Sequence, residues 1–352
     1  MSNISDSAIS LLVDLIKTPS FSKEEDQTAQ IIASFLKKNS IEYKQISNNL
    51  ISRNKFFDLS KKTIVLNSHH DTVRVVDGWT KDPFGAIWEN NKLIGLGSND
   101  AGASLVSLIA TFIHFYEKEM DFNLVLIASA EEENFGNNGV SSVLPQLGFE
   151  PVLGIIGEPT QMQMAVAEKG LIVIDGESKG QSGHVAYQKG DNAIYKAIKD
   201  INWIENYKFP KISETLGEVM MSVTQVDGGI QHNVIPDKCH FVVDVRVNDC
   251  YSLKEVSEII SANCISKMTP RSLRWHPSSI DIQHPIVQKG MELDISYYGS
   301  STMSDQVHFT CPTLKMGPGD SLRSHTADEF IMKSEIEHGI ETYISLLDGL
   351  SL

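Results

Sequence analysis

The sequence predicts an α/β protein in which a smaller α+β domain interrupts a larger, discontinuous one. Three observations carry this reading. Up to residue 163, short β-rich apolar runs alternate with stretches of helical periodicity. From 164 to 279 the chain turns strand-rich, with two helix candidates among the strands. From 280 to the end at 352 the first style returns. Alternation of the first kind indicates helices layered over a largely parallel sheet, whereas the middle pattern suits a compact α+β unit.

The elements can be justified in order. The segment 8–16 is short and amphipathic. Ser22-Lys23-Glu24-Glu25 has the form of a capping box, and a periodic run over 31–36 follows it, so a helix is expected to start there. The run 63–67 is apolar and β-branched, which reads as a buried strand, and 124–128 and 152–156 read likewise. Between them, 103–116 is a long apolar helix candidate. In the middle, 164–178 and 219–247 are strand-rich with a turn at Gly228-Gly229, and helices are expected over 192–207 and 252–265. The last part predicts a helix near 285–293, a strand at 313–316 and a final helix over 333–347. There is no internal repeat and no low-complexity linker.

Residues with chemical potential stand where predicted strands end, which is where open α/β sheets build their sites. After the strand at 63–67 comes Ser68-His69-His70-Asp71. An imidazole can give a neutral nitrogen to zinc, and a carboxylate two residues on can accept its other N–H. Before the helix at 103 comes Gly97-Ser98-Asn99-Asp100, whose aspartate could give one oxygen to each of two metals. After 124–128 comes Glu131-Glu132-Glu133. Three successive acids repel one another, and a divalent cation would offset that repulsion. After 152–156 comes Gly157-Glu158-Pro159, and before the last helix Ser324-His325 offers a second imidazole.

Alone, each motif has an ordinary reading: a surface turn for His-x-Asp, a helix cap for Asp100, a solvated loop for the three glutamates, a turn at Glu158, a helix entry at His325. Together they supply imidazoles and carboxylates in the proportion a pair of zinc ions takes, with one His and one carboxylate for each metal and one carboxylate shared. That is the plan of a two-metal hydrolytic site.

The ordered series His69-x-Asp71, Asp100, Glu132-Glu133, Glu158, His325 resembles the acetylornithine deacetylase / succinyl-diaminopimelate desuccinylase family of zinc amidohydrolases, over nearly the whole chain. The resemblance implies a zinc-peptidase-like mixed sheet flanked by helices, over 1–163 and 280–352. It also implies an inserted ferredoxin-like α+β domain over 164–279 that mediates dimerisation. On the same ground, His69 and Glu158 would hold one metal, Glu133 and His325 the other, and Asp100 would bridge them. Asp71 would orient His69, and Glu132 would be general base and then general acid. His184 in Ser182-Gly183-His184 would reach into the partner subunit's site and stabilise the oxyanion, and Asn233 and Arg246 would bind substrate. The metals implied are two divalent ions, zinc first and cobalt second. The family commonly has Met-Lys-Gly after the bridging aspartate, where this chain has Ala101-Gly102, and Asp-Glu-Glu where it has Glu131-Glu132-Glu133.

The segment 315–321 before Ser324-His325 looks most like deacylases of N-acetyl-ornithine, N-acyl-citrulline and acyl-lysine, which points to a small N-acylated amino acid of arginine biosynthesis as substrate. The competing readings are a dipeptidase or carboxypeptidase, a succinyl-diaminopimelate desuccinylase, an acyl-lysine deacylase, and a non-catalytic metal-binding homologue, which would have no need of Glu132. A formal charge of -15 argues against nucleic-acid and anionic-membrane partners. No uncharged apolar run reaches the ~18 residues of a spanning helix, and the N-terminus has no secretory pattern. Cys239, Cys250, Cys264 and Cys311 are dispersed and read as reduced, mostly buried thiols of a cytoplasmic protein.

Overall fold

The computed structural model describes residues 2–187 and 189–352. The chain divides into two units. One comprises Met1–Val166, Ser279–Tyr298 and Ser304–Leu352; the other is Ala167–Ser278 with the short segment Gly299–Met303.

The first unit begins with helices α1 (Ser2–Ile16) and α2 (Asp26–Lys38), hairpin strands β1 (Lys44–Ile46) and β2 (Asn49–Arg53), and β3 (Thr63–His69). Then come β4 (Ile87–Glu89), β5 (Lys92–Ile94), α3 (Ala103–Phe115), β6 (Asn123–Ser129), the short α4 (Val140–Val143), β7 (Leu153–Ile156) and β8 (Met164–Glu168). The second unit contributes β9 (Gly170–Lys179), β10 (Gly183–His184), α5 (Ala193–Asn206), β11 (Met220–Gly228), β12 (Val234–Ile235), β13 (Lys238–Val247), α6 (Leu253–Asn263) and β14 (Lys267–Pro270). After β15 (Ser278–Ser279) follow α7 (Pro285–Glu292), β16 (Tyr297–Ser300), β17 (Thr313–Lys315), β18 (Phe330–Met332) and α8 (Lys333–Leu347).

The main sheet of the first unit runs β1-β2-β6-β3-β7-β17. Its centre is parallel: β3 lies between β6 and β7, and β17 continues beside β7. Antiparallel strands border it, β2 on β6 and β17 against β8, so the sheet is mixed. Alternate residues explain why the strands are apolar throughout. Ile64 and Leu66 enter one core with α1, α3 and α8, while Val65 joins Val125, Ile127, Val140 and Val143 on the other face. A sheet covered on both sides has no solvent face to mark with polar residues. Helix α3 is buried around its whole circumference, Leu105, Val106, Leu108, Ile109 and Phe112 alike. Each such side chain contributes about 1.5–3 kcal/mol on leaving water.

In the second unit the sheet order is β11-β13-β9-β14, all antiparallel, with α5 and α6 in the connections. This β-α-β-β-α-β order is ferredoxin-like. Only one face is buried: Phe241, Val243 and Val245 of β13 meet Ala197 and Ile204 of α5 and Val256 and Ile260 of α6.

Three sequence expectations are corrected. The capping box does not form, because α2 starts at Asp26 and neither partner caps it. Ser22 Oγ donates instead to Asp71 Oδ2 (2.7 Å). Glu25 is buried and accepts from Lys23 N (2.6 Å) and Asn48 Nδ2 (3.0 Å). The expected strand at 63–67 runs on to His69, since pairing with β6 continues until His69 faces Ser129. Of the cysteines, all free, only Cys239 is fully buried. Among the described residues, no helix is long and apolar enough to cross a membrane.

Candidate metal centre

Three adjacent parallel strands deliver acids and an imidazole at their carboxyl ends. β3 ends on His69; β6 leads into Glu131-Glu132-Glu133; β7 leads into Gly157-Glu158. Asp100 arrives from the loop that enters α3, where Gly97 takes the left-handed conformation (φ 76°). The loop is tight: a Cβ on Gly102 would stand 2.4 Å from the Gly97 carbonyl oxygen. His325 follows a short helical turn over Ser321–Arg323, with φ 58°.

These residues converge. Asp100 Oδ1 lies 3.5 Å from His69 Nε2, and its other oxygen, Oδ2, lies 3.5 Å from His325 Nε2. His69 Nε2 also faces Glu158 Oε1 at 3.8 Å and Glu132 Oε2 at 3.9 Å. On the other side, His325 Nε2 is 3.0 Å from Glu133 Oε2. Two groups, His69 with Glu132 and Glu158, and His69 with Asp100 and Glu133, present ligand atoms all within 4.8 Å of one another.

The donor set fits a divalent metal. His69 Nδ1 lies 2.9 Å from the main-chain oxygen of Asp71, which makes it the protonated nitrogen. Nε2 is then the nitrogen that faces the carboxylates, and it is buried without a hydrogen-bond partner. An orphaned imidazole nitrogen among buried acids is costly unless a cation stands between them. Titration behaviour carries the same mark. Burial pushes Glu132 well above the usual carboxylate range, with Glu158 and Glu133 adding repulsion, and pushes Glu158 up to about 8. Burial works against a charged His69, but the Asp100 and Asp71 carboxylates outweigh it and hold the imidazole well above its ordinary value. The hydrogen bond to Glu133 raises His325 to about 9.

The family model described as "Peptidase family M20/M25/M40" matches residues 65–349 of this chain. The chain belongs to that family. It is thus a metal-dependent amidohydrolase. A curated relative of the M20 chain is the acetylornithine deacetylase of Shigella sonnei (strain Ss046), 27% identical over 370 aligned positions that cover 95% of each protein. Among solved structures, the M20 family metallo-carboxypeptidase Sso-CP2 from Sulfolobus solfataricus superposes with a TM-score of 0.78 at 15% identity, covering 97% of this chain and 98% of that one. The aminopeptidase PepT from Bacillus cereus ATCC 10987 gives 0.77 at 17% identity, with 98% of both chains covered. At such identities the superpositions speak for the fold alone.

Within the M20 chain, neighbouring residues of like type are separated by their partners. His70 is buried away from the cluster, 2.9 Å from Thr28 Oγ1 and 2.9 Å from the Asn48 oxygen, and burial lowers it to about 4. Glu131 (φ 56°) turns aside and accepts from Asn138 Nδ2 at 2.8 Å, leaving Glu132 and Glu133 to face the imidazoles. The Asp71 carboxylate stands 3.5 Å from His69 Nδ1, farther than its own main-chain oxygen. Its two oxygens accept from Glu132 N and Glu133 N, at 3.1 Å each, so this side chain grips the turn that carries both glutamates.

His184, Asn233 and Arg246 belong to the second unit. His184 is exposed on β10, paired opposite Val234 of β12, and Val185 N donates to the Asn233 oxygen at 3.3 Å. Arg246 on β13 makes a two-point contact with Asp244 at 2.8 and 3.1 Å. The two-stranded ribbon brings His184 and Asn233 side by side; Arg246 is bound within its own strand.

Two of the buried acids that went unassigned in the sequence, Asp305 and Glu329, act on the elements that carry this cluster. Asp305 Oδ2 accepts from Asn67 Nδ2 (2.8 Å) and Ser129 Oγ (2.7 Å), joining the ends of β3 and β6. Glu329 accepts main-chain N–H groups of the Asp100 loop. The only signal for Asp305 was indirect: Asn67 and Ser129 are polar residues inside apolar strands, and such residues need a buried partner.

Proposed function

We propose that the chain hydrolyses the amide bond of a small N-acylated amino acid, with N-acetyl- or N-succinyl-ornithine or -citrulline as the first candidates, using two divalent ions, zinc or else cobalt. The observation that carries the two-metal reading is Asp100, whose two oxygens face different imidazoles, His69 and His325, each at 3.5 Å. His69 and Glu158 would hold one ion, Glu133 and His325 the other, and Asp100 both. Bound there, the pair would acidify a water and polarise the acyl oxygen.

The chain's own groups do the rest. Glu132 sits beside the ligands, 3.9 Å from His69 Nε2, and its carboxylate takes the proton of the attacking water. It then returns that proton to the leaving nitrogen, so the amine departs neutral. Asp71, gripping the amides of Glu132 and Glu133, fixes the angle between base and ligand. His184 opposes the oxyanion from the partner subunit of a homodimer joined through the second unit, and Asn233 and Arg246 bind the substrate. Several apolar side chains of that unit are exposed, Tyr195, Ile198 and Val226 among them, which suits a second copy.

Support for the acyl-amino-acid substrate comes from the Shigella sonnei acetylornithine deacetylase, similar over 95% of both chains. A second reading, hydrolysis of a dipeptide or of a C-terminal residue, is compatible with the fold shared with the metallo-carboxypeptidase. Desuccinylation of succinyl-diaminopimelate and deacylation of acyl-lysine are the other outcomes. The deciding experiment is steady-state turnover of the zinc- and cobalt-loaded protein on acetyl- and succinyl-ornithine, -citrulline, -lysine and -diaminopimelate beside a dipeptide panel. A higher kcat/KM on the dipeptides than on every acyl amino acid would overturn the substrate assignment. No turnover on any of them by a metal-loaded protein would favour a non-catalytic metal-binding homologue.

A further inference from the structure

Glu329 lies four positions after His325, immediately before β18, and is 2% exposed. Its carboxylate collects three main-chain donors from a single loop. Oε2 accepts from Gly97 N at 3.1 Å; Oε1 accepts from Asn99 N at 2.8 Å and from Asp100 N at 2.9 Å. Its main-chain oxygen accepts from Gly95 N at 2.9 Å, and β18 then pairs with β5, Phe330 opposite Ile94. One residue thus clamps the segment from Gly95 to Asp100 by main chain and side chain together. The donors of this loop have no helical partner to spare, since they precede the first turn of α3.

We propose that Glu329 is a positioning residue for Asp100: by accepting the amides of Gly97, Asn99 and Asp100 it sets the angle at which the Asp100 carboxylate divides its oxygens between His69 and His325, and so tunes metal affinity. The inference rests on the two-metal reading above. A purely structural role would be to satisfy buried amides, and the two roles differ in sign when metal is removed. In the metal-free protein burial and the neighbouring Asp100 carboxylate work against a negative charge on Glu329, so replacing it with a neutral group relieves repulsion. In the metal-loaded protein the same charge and the same clamp favour the cations. Partners of this kind behind a ligand are worth about 10–100-fold in metal affinity.

The test compares wild type with Glu329→Gln and Glu329→Asp. In Glu329→Gln, the amide oxygen can serve Asn99 and Asp100 while its NH2 faces the Gly97 N–H, so one bond and the charge are lost. In Glu329→Asp, the charge stays but the reach shortens by one methylene. Zinc titration by calorimetry, the visible absorption of the cobalt-loaded protein and the melting temperature of the metal-free protein are measured for each. The expected result is a metal-free Glu329→Gln that melts at or above wild type, a zinc affinity lowered about tenfold or more in both variants, and a shifted cobalt spectrum. Wild-type zinc affinity and an unchanged cobalt spectrum in either variant overturn the proposal. So does a metal-free Glu329→Gln that melts below wild type yet binds zinc as tightly. If wild type itself takes up no zinc, the two-metal reading falls and this inference with it. If wild type takes up two ions and the variants do so equally well, only the role of Glu329 falls.

Discussion

The two halves of the candidate centre are built differently. Around His69 the imidazole is 1% exposed, its Nε2 has no hydrogen-bond partner, and the largely buried Glu158 and Glu132 face it at 3.8 and 3.9 Å. Around His325 the imidazole is 53% exposed and already paired with Glu133 at 3.0 Å. The first half is a set of unsatisfied ligands in a low-dielectric pocket; the second is an ion pair whose imidazole is open to solvent while Glu133 is largely buried. Unpaired buried groups gain most from a cation, whereas a satisfied pair must first exchange one partner for another. The buried half should therefore hold its ion tightly and release it slowly, and the open half should exchange.

The largest expected effect comes from breaking the link between them. Asp100→Ala removes the carboxylate common to both halves, and metal stoichiometry and turnover should both collapse, as read by metal analysis of the dialysed protein beside an activity assay. Retention of both ions would show the halves to be independent. Next, Glu132→Gln should keep both ions and lose turnover by about 10²–10⁴, because a positioned base is removed and no ligand is. Glu133→Gln should instead weaken metal uptake, with activity partly restored at high zinc. The reverse pattern, metal lost in Glu132→Gln and rate alone in Glu133→Gln, would exchange their roles.

A smaller effect sharpens the asymmetry itself. His325→Ala should lose one ion and leave the other in place, and graded chelation of the wild type should proceed in two phases with the fast phase missing in this variant. A single phase would mean the halves bind alike. The least effect is on stability against pH in the metal-free protein. Glu158 is pushed by burial from an ordinary 4.5 to about 8. Between those values the folded state holds a proton that the unfolded state has released, so stability falls as pH rises through the window. His69, raised well above 6.5, acts in the same direction at the upper end. The metal-free protein should melt on the order of several degrees lower at pH 8 than at pH 5 by scanning calorimetry. Saturating zinc should abolish or reverse the slope. A metal-free melting temperature that rises over this interval would contradict the burial of these acids.

What could be read from the sequence was whatever depends on neighbours along the chain. The strands at 63–67 and 124–128 announced themselves as unbroken apolar runs because both faces of the sheet are covered. The acids at Glu132, Glu133 and Glu158 stood out because charge is conspicuous directly after such runs. Distinctions made across the fold were not readable. His69 and His70 are adjacent and of one type, and only Thr28 and the Asn48 oxygen, contributed from elsewhere, take His70 out of the cluster. Glu131 is likewise removed by Asn138. The apparent capping box at Ser22 was lost to Asp71, a tertiary partner that outcompetes the local one. Asp305 and Glu329 serve groups far away in sequence, Asn67 and Gly97 among them, so no local pattern could flag them.

The strand order has a consequence for chain continuity. β17, which the chain reaches only after the whole second unit, sits between β7 and β8, which precede it. Residues from 167 to 278 are in polymer terms a detour that leaves the sheet and comes back to it. What keeps His325 beside Glu133 is hydrogen bonding of β17 to β7 and packing of α8 on α3, not the covalent path through the detour. A nick inside the detour should leave the two ends of the ligand series where they are. By the same logic, insertions and deletions there can accumulate over evolutionary time without disturbing metal coordination, so the length of the detour is free to vary under selection for whatever it binds.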